Sequence, residues 1–251
     1  MMKYLSIIFW LILINPIYGQ ITHSHSIVLG FLQLKDQNNL GMVFNGLQLE
    51  YRYGLHWVIN DHEILYQPKL GAGIAIKKEP GTDEIMKALK LHVAPVNVTW
   101  TMPFYERGGH SIRGGANFIM DYNYHKYDDL HDGPVFWNTE IGLSPVIKYG
   151  YQWNEKHINI GLQNSLVGFT SHRQGYDAYY WLSTWKDDIV DPHKNLKFGS
   201  FNNYNHTTVS LEFVSNIFKI HSFTYEFDYL GLFQGTQLHQ INHNLYWRMS
   251  L

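Results

Sequence analysis

Residues 240–251 read QINHNLYWRMSL, and their side chains alternate in polarity along the stretch. The odd positions are largely apolar: Ile241, His243, Leu245, Trp247, Met249 and Leu251. The even positions form hydrogen bonds or carry charge: Asn242, Asn244, Tyr246, Arg248 and Ser250. Because successive side chains of a β-strand point to opposite faces, the stretch predicts a strand with one apolar and one polar face.

This alternating stretch resembles the closing strand of bacterial outer-membrane β-barrels, which usually ends on an aromatic residue and here ends on Leu251. The resemblance implies an all-β fold, an antiparallel transmembrane β-barrel whose apolar face contacts lipid. It also implies a location in the outer membrane of a Gram-negative bacterium.

The N-terminus has the features of a secretory signal peptide. Lys3 supplies a positive charge, residues 4–14 form a short apolar run, and the small residue Gly19 suits a cleavage site. The apolar run is too short to cross a bilayer as a helix. We therefore expect residues 1–19 to be removed and residues 20–251 to form one barrel domain.

Charge and cysteine content narrow the range of partners and chemistry. Loss of Lys3 leaves 18 basic against 21 acidic side chains, a net charge of −3, so we expect no nucleic-acid partner. The chain has no cysteine, which excludes disulfides and thiolate chemistry. Its 18 tyrosines suit a protein that meets two membrane–water interfaces.

Alternation recurs in about ten segments, several of them fifteen or more residues long, such as 43–59, 110–126 and 135–153. Soluble strands usually have about five or six residues, whereas strands that cross a membrane and project from it are longer. We therefore predict ten strands, with eight or twelve as possible counts. A soluble, lipocalin-like barrel with its apolar face inside stays open as an alternative.

Connections in such a barrel alternate between short turns and longer loops. The predicted short turns are 60–61, 104–109, 154–155 and 215–216. The predicted longer loops are 36–41, 79–86, 127–134, 170–204 and 234–236. In the segment 87–103 the apolar phase changes at Ala94-Pro95, which predicts a β-bulge because proline cannot donate to the ladder.

The loop 170–204 is the one long irregular stretch, and its composition is unusual for a surface loop. It holds Tyr179, Tyr180, Trp181 and Trp185, together with Asp187, Asp188, Asp191 and His193. Long loops in compact folds are usually functional or disordered, and the aromatic content argues against disorder. We expect this loop to be a candidate binding site for an extracellular ligand.

Strand registers place two rows of ionisable side chains inside the barrel. A turn at 127–134 puts Asp121 opposite Glu140, and the turn at 104–109 brings His92 opposite Asp121. Facing carboxylates beside an imidazole are what a general acid–base site requires, and they are equally typical of a charge network that fills a narrow lumen.

The second row comes from the last three strands. It places Asp228 opposite Asn242 and Glu226 opposite Asn244, with His206 near Asp228. A His–Asp pair could activate water or a hydroxyl group. His206, Glu226 and Asp228 together also just reach the three ligands that a metal site needs, so the metal and any other cofactor stay unknown.

Two family resemblances bear on these rows. Omptins are ten-stranded proteases with a His–Asp pair and an Asp pair at the extracellular mouth, and the His206/Asp228 and Asp121/Glu140 rows are similar to these in placement alone. Asp36 followed by Val43–Leu47 faintly resembles the opening hairpin of outer-membrane lipid A deacylases. The resemblances imply hydrolysis of peptide or of lipid A.

Two functional classes therefore follow from the sequence. The first is a surface binding or structural protein with a lumen filled by its own side chains, which contacts outer-membrane lipid and lipopolysaccharide and binds through loop 170–204. The second is an outer-leaflet hydrolase of lipid A, phospholipid or peptide, with His92, Asp121, Glu140, His206, Glu226 and Asp228 as candidate catalytic residues. The sequence leaves open whether the protein is an enzyme.

Overall fold

The computed structural model describes residues 20–36, 42–78, 81, 83–127, 135–172, 196–200, 203–217, 220–233 and 238–250. The predicted signal peptide lies outside these ranges, and so do the aromatic residues of loop 170–204. No helix among the described residues is long and apolar enough to cross a membrane.

The described chain forms thirteen β-strands in one sheet. They are β1 (Gln20–Asp36), β2 (Val43–Ile59), β3 (His62–Tyr66), β4 (Lys69–Lys78), β5 (Ile85–Arg107), β6 (His110–Tyr127), β7 (Val135–Trp153), β8 (Lys156–Asn164), β9 (Val167–His172), β10 (Lys197–Ser200), β11 (Tyr204–Ile217), β12 (Ile220–Leu232) and β13 (Leu238–Ser250). Three strands of the barrel are interrupted, and each is formed by two shorter strands. The pairs are β3 with β4, β8 with β9, and β10 with β11.

The sheet closes on itself as an antiparallel barrel of ten strands, which confirms the predicted fold class and strand count. The barrel closes where β1 pairs with β13. Leu29 of β1 lies opposite Leu245 of β13 on one side and opposite Leu49 of β2 on the other. A closed barrel satisfies every ladder hydrogen bond without leaving an open edge, which is what a sheet in lipid must do.

The outer face of the barrel is apolar. Leu47 is 72% exposed and Leu70 is 60% exposed, and other outward leucines and isoleucines are about half exposed. The inward face carries buried polar side chains instead, among them Gln48, Asn117, Ser144, Thr224, Asn242 and Asn244. The lipocalin-like alternative is wrong, because it requires the opposite arrangement of the two faces.

The turns confirm the predicted positions 60–61 and 154–155 and correct two others. At Asn60 and Asp61 both φ angles are positive, as in the tight hairpins these residue types favour. The predicted turn 104–109 is shorter, because β5 continues to Arg107 and only Gly108-Gly109 form the turn. The predicted turn 215–216 lies inside β11, which continues to Ile217.

The bulge predicted at Ala94-Pro95 is confirmed by a register shift between Val93 and Val96. The predicted loop 170–204 is too long at both ends. Its first residues belong to β9, and Lys197–Ser200 form β10, which pairs with β9. The sequence missed this pairing because a four-residue strand is too short to show alternation.

Twelve buried side chains close the barrel interior at its loop end, and we call them the apolar cap. They are Leu32, Leu34, Phe44, Ala75, Met86, Ala88, Tyr127, Phe136, Tyr204, Leu230, Leu232 and Leu238. They come from nine strands, and each lies near the loop end of its strand. The apolar cap separates the polar interior of the barrel from the loop end.

Candidate functional site

Beneath the apolar cap, eight ionisable side chains meet in the lumen, and we call them the charged layer. They are Glu50, Arg52, His92, Asp121, Glu140, His206, Glu226 and Asp228. The six candidate catalytic residues from the sequence all belong to this layer. The order is visible along β12, where Leu232 and Leu230 of the cap are followed on the same face by Asp228 and Glu226.

Arg52 is the central cation of the charged layer and is 1% exposed. Its Nε donates to Oε1 of Glu50 over 2.6 Å, and its two Nη atoms donate to the carboxylate of Glu226 over 3.0 and 2.7 Å. The Cζ atom lies 4.6 Å from the ring centroid of Tyr246. A guanidinium used on all three nitrogens fixes the relative positions of β2 and β12 across the lumen.

His92 of β5 joins two carboxylates, one from β2 and one from β6. Its Nδ1 lies 2.5 Å from Oε2 of Glu50, and its Nε2 lies 2.9 Å from Oδ1 of Asp121. An ionised carboxylate only accepts hydrogen bonds, so the imidazole satisfies both partners as the imidazolium form.

His206 has the same arrangement on the opposite side of the lumen. Its Nδ1 lies 2.9 and 3.0 Å from the two oxygens of Glu140, and its Nε2 lies 2.7 Å from Oδ1 of Asp228. The hydroxyl group of Tyr204, a residue of the apolar cap, donates to Glu140. The contact between the cap and the charged layer is therefore direct.

The charges of this region balance when both imidazoles are protonated. The five carboxylates face Arg52, the two imidazolium groups and two lysines, Lys69 and Lys90. Lys90 donates to Gln48 over 3.0 Å, and Gln48 in turn donates to Asn244 over 2.8 Å. Buried charges are tolerated when they are paired and hydrogen-bonded, as the eight side chains of the charged layer are.

The space left inside the charged layer is small. A cavity of about 20 Å³ lies between the side chains, bounded by Arg52, Lys69 and both histidines. This volume holds about one water molecule. A lipid chain or a peptide does not fit beside the described side chains as they stand.

The structure brings the two predicted rows into one network and shows which registers were right. Asp121 lies opposite Glu140, and Asp228 and Glu226 lie opposite Asn242 and Asn244, as predicted. His92 lies opposite Asn123 rather than Asp121 and reaches Asp121 diagonally.

The register of His92 was wrong by two residues because the turn after β5 is shorter than predicted and two bulges partly offset the difference. A slip of two residues keeps each side chain on its face, so His92 still points into the lumen.

Sequence reasoning missed the roles of Glu50, Arg52 and Tyr204 in this site. Glu50 and Arg52 were expected as general lumen filling and turn out to be direct partners of His92 and Glu226. The apolar cap was also missed, although one signal was present. Alternation fails near the strand ends, as in Tyr229–Phe233, where consecutive apolar residues supply both faces.

Both candidate general bases lack a free ring nitrogen, since each of the four imidazole nitrogens faces a carboxylate oxygen. A general base must present such a nitrogen to the proton it removes. The charged layer also does not supply a metal site: within the described residues, no three His, Asp or Glu side chains are placed to hold an ion. Glu226 is committed to Arg52 rather than to His206.

Comparison with known proteins supports the fold. The structure is similar to the outer membrane protease OmpT from Escherichia coli, with 10% identity, a TM-score of 0.52, and coverage of 92% of this chain and 97% of that chain. It is also similar to Neisserial surface protein A, with 11% identity, a TM-score of 0.36, and coverage of 92% and 99%.

No protein-family model matches the sequence, and no curated protein matches it. At 10% identity the similarity to OmpT shows the shared fold alone. The chain is an outer-membrane β-barrel in architecture, with a lipid-facing exterior and a lumen filled by its own side chains.

Proposed function

We propose that this barrel is a non-enzymatic surface protein of the outer membrane of a Gram-negative bacterium, secreted with residues 1–19 as a cleaved signal peptide. In this proposal the charged layer holds the strands together, and loop 170–204 binds an extracellular ligand. The observation that carries the proposal is the closed pairing of His92 and His206 beneath the apolar cap. The imidazole and carboxylate groups that could act in catalysis are already hydrogen-bonded to one another.

Lipopolysaccharide is the proposed lipid partner, and the outward lysines at the loop end support it. Lys35, Lys78, Lys87 and Lys126 stand on β1, β4, β5 and β6 at the end of the apolar band. Three of these lysines lie at the same level on paired strands. Lys87 of β5 lies opposite Ile76 of β4, and Lys126 of β6 lies opposite Leu89 of β5. Cationic side chains at this level attract the phosphate groups of an anionic lipid.

A second candidate is hydrolysis of lipid A, phospholipid or peptide, and the 2.7 Å contact between His206 and Asp228 favours it. The protease OmpT shares the fold, which makes peptide the substrate to try alongside lipids. Mass spectrometry of outer-membrane lipids, with and without the protein, separates the two candidates. We expect identical lipids and no cleavage of a peptide library.

A matched variant makes this test decisive in both directions. Loss of an acyl chain or cleavage of a peptide, abolished by His206→Ala or His92→Ala in a barrel that still folds, would replace the proposal by the hydrolase. Folding is checked by the heat-dependent shift of barrel mobility on electrophoresis. Glu155→Ala, which removes an exposed carboxylate in the turn between β7 and β8, serves as the control.

Shortening the long loop tests the binding half of the proposal. Replacing residues 176–194 by a short Gly-Ser linker leaves β9 and β10 intact and removes Trp181 and Trp185. We expect the affinity for purified lipopolysaccharide, titrated in detergent micelles by light scattering, to fall at least about tenfold. A Gly-Ser replacement of residues 128–133 is the control, and equal affinity of both variants to the wild type would contradict the loop assignment.

A further inference from the structure

Four histidines on the lipid-facing side lie at the turn end of the barrel, and we call them the histidine belt. They are His23 and His25 on β1, His62 on β3 and His110 on β6. β3 and β6 begin at short turns and the start of β1 pairs with the end of β2, so all four lie on the side opposite the apolar cap. Outward histidines are unusual because an imidazole without a partner is costly in lipid.

Each belt imidazole is bound through the same nitrogen. Nδ1 of His23, His25 and His110 lies 2.7, 2.6 and 2.7 Å from a tyrosine hydroxyl on the neighbouring strand. These partners are Tyr53, Tyr51 and Tyr149. Nδ1 of His62 accepts from the indole Nε1 of Trp100 over 3.2 Å, and the two rings are stacked.

The partners fix the direction of the remaining donor. The indole nitrogen of Trp100 only donates, so Nδ1 of His62 is the acceptor and the ring proton is on Nε2. A tyrosine that donates to Nδ1 has the same effect on the other three rings. When the tyrosines donate, Nε2 of each belt histidine carries the ring proton, and the described part of the chain offers no acceptor for it.

The position of the belt identifies the chemistry that meets these donors. Ten residues separate His25 from Lys35 on β1, and Ile27, Leu29 and Phe31 occupy the outward positions in the first part of this stretch. At about 3.3 Å per residue and a tilt of about 40°, ten residues span about 25 Å, the height of the apolar band of such barrels. His25 and Lys35 therefore lie at opposite edges of the hydrocarbon layer.

We propose that the histidine belt is a binding site for the phosphodiester group of glycerophospholipids in the leaflet at the turn end of the barrel. The Nε2–H groups donate to phosphate oxygens, while the tyrosines and Trp100 hold the rings in place. The acyl chains of the same lipids lie along the exposed apolar residues above the belt, such as Ile27 and Leu70.

Competition between two lipids with the same acyl chains tests this proposal. The full barrel is reconstituted in phosphate-free bilayers of digalactosyldiacylglycerol, and brominated phosphatidylcholine is added as a quencher of tryptophan fluorescence. Trp57, Trp100 and Trp153 lie near the turn end and report contact. We expect phosphatidylcholine to occupy the barrel surface about two- to fivefold above its bulk fraction, and the brominated galactolipid to show no enrichment.

Two variants distinguish lipid binding from simple packing. Replacing His23, His25 and His110 together by Phe keeps the aromatic surface and removes three of the four Nε2–H donors, and we expect most of the phosphatidylcholine enrichment to be lost. The matched control is His243→Phe, because His243 makes the same contact with Tyr225 but lies beside Phe31 in the apolar band. The proposal would be overturned if the triple variant kept the wild-type enrichment, or if the wild type showed none. An equal loss in the His243→Phe control would show a packing effect and would overturn it as well.

Discussion

Replacing Arg52 by Met lowers the free energy of unfolding of the barrel by about 3–5 kcal/mol, the range found when one partner of a buried ion pair is removed. Arg52 is 1% exposed and binds Glu50 and Glu226 with all three guanidinium nitrogens. Met fills a similar volume, so the loss comes from two buried carboxylates left without their cation. Urea titration of the barrel in vesicles, followed by tryptophan fluorescence, measures the change.

Removing the charges as a group is the control for this prediction. The variant Arg52→Met/Glu50→Gln/Glu226→Gln leaves no uncompensated carboxylate around residue 52, because the amides still accept and donate hydrogen bonds. We expect it to recover at least half of the stability lost in the single variant. A single variant within about 1 kcal/mol of the wild type would show that water reaches these groups and that the layer is not sealed.

The second large effect is expected in the apolar cap. Phe44 is fully buried and packs on Tyr127 with ring centroids 5.1 Å apart, which joins β2 to β6 across the barrel mouth. Phe44→Ala leaves a cavity and is expected to cost about 3–5 kcal/mol. Phe44→Leu keeps most of the buried volume and is expected to cost less than about 1.5 kcal/mol.

The same urea titration separates the two variants of Phe44. Equal costs for Ala and Leu would mean that the position does not depend on filled volume, which contradicts a packed cap. A cost below about 1 kcal/mol for the Ala variant would mean that the loop end is open to water at Phe44.

The sequence by itself determined the class of fold and the face on which each side chain lies. Alternation is a local property with a period of two residues, so Leu245 and Asn244 can be assigned to opposite faces without reference to any other strand. Register errors of two residues do not alter this, which is why His92, Asp121, Glu140, His206, Glu226 and Asp228 all point inward as predicted although His92 lies two residues from its expected partner.

Only the tertiary structure decided which of these inward groups meet. Glu140 and His206 are 66 residues apart, and Arg52 and Glu226 are 174 apart. Their contacts depend on the closure of the barrel, on two bulges in the pairing of β5 with β6, and on side chains that reach diagonally across a narrow lumen. Nine separate strands supply the apolar cap, so no single stretch of the sequence indicates it. The two-residue period along a strand determines the face on which each side chain lies. The side chains that meet across the lumen are determined by all the strand registers around the barrel together.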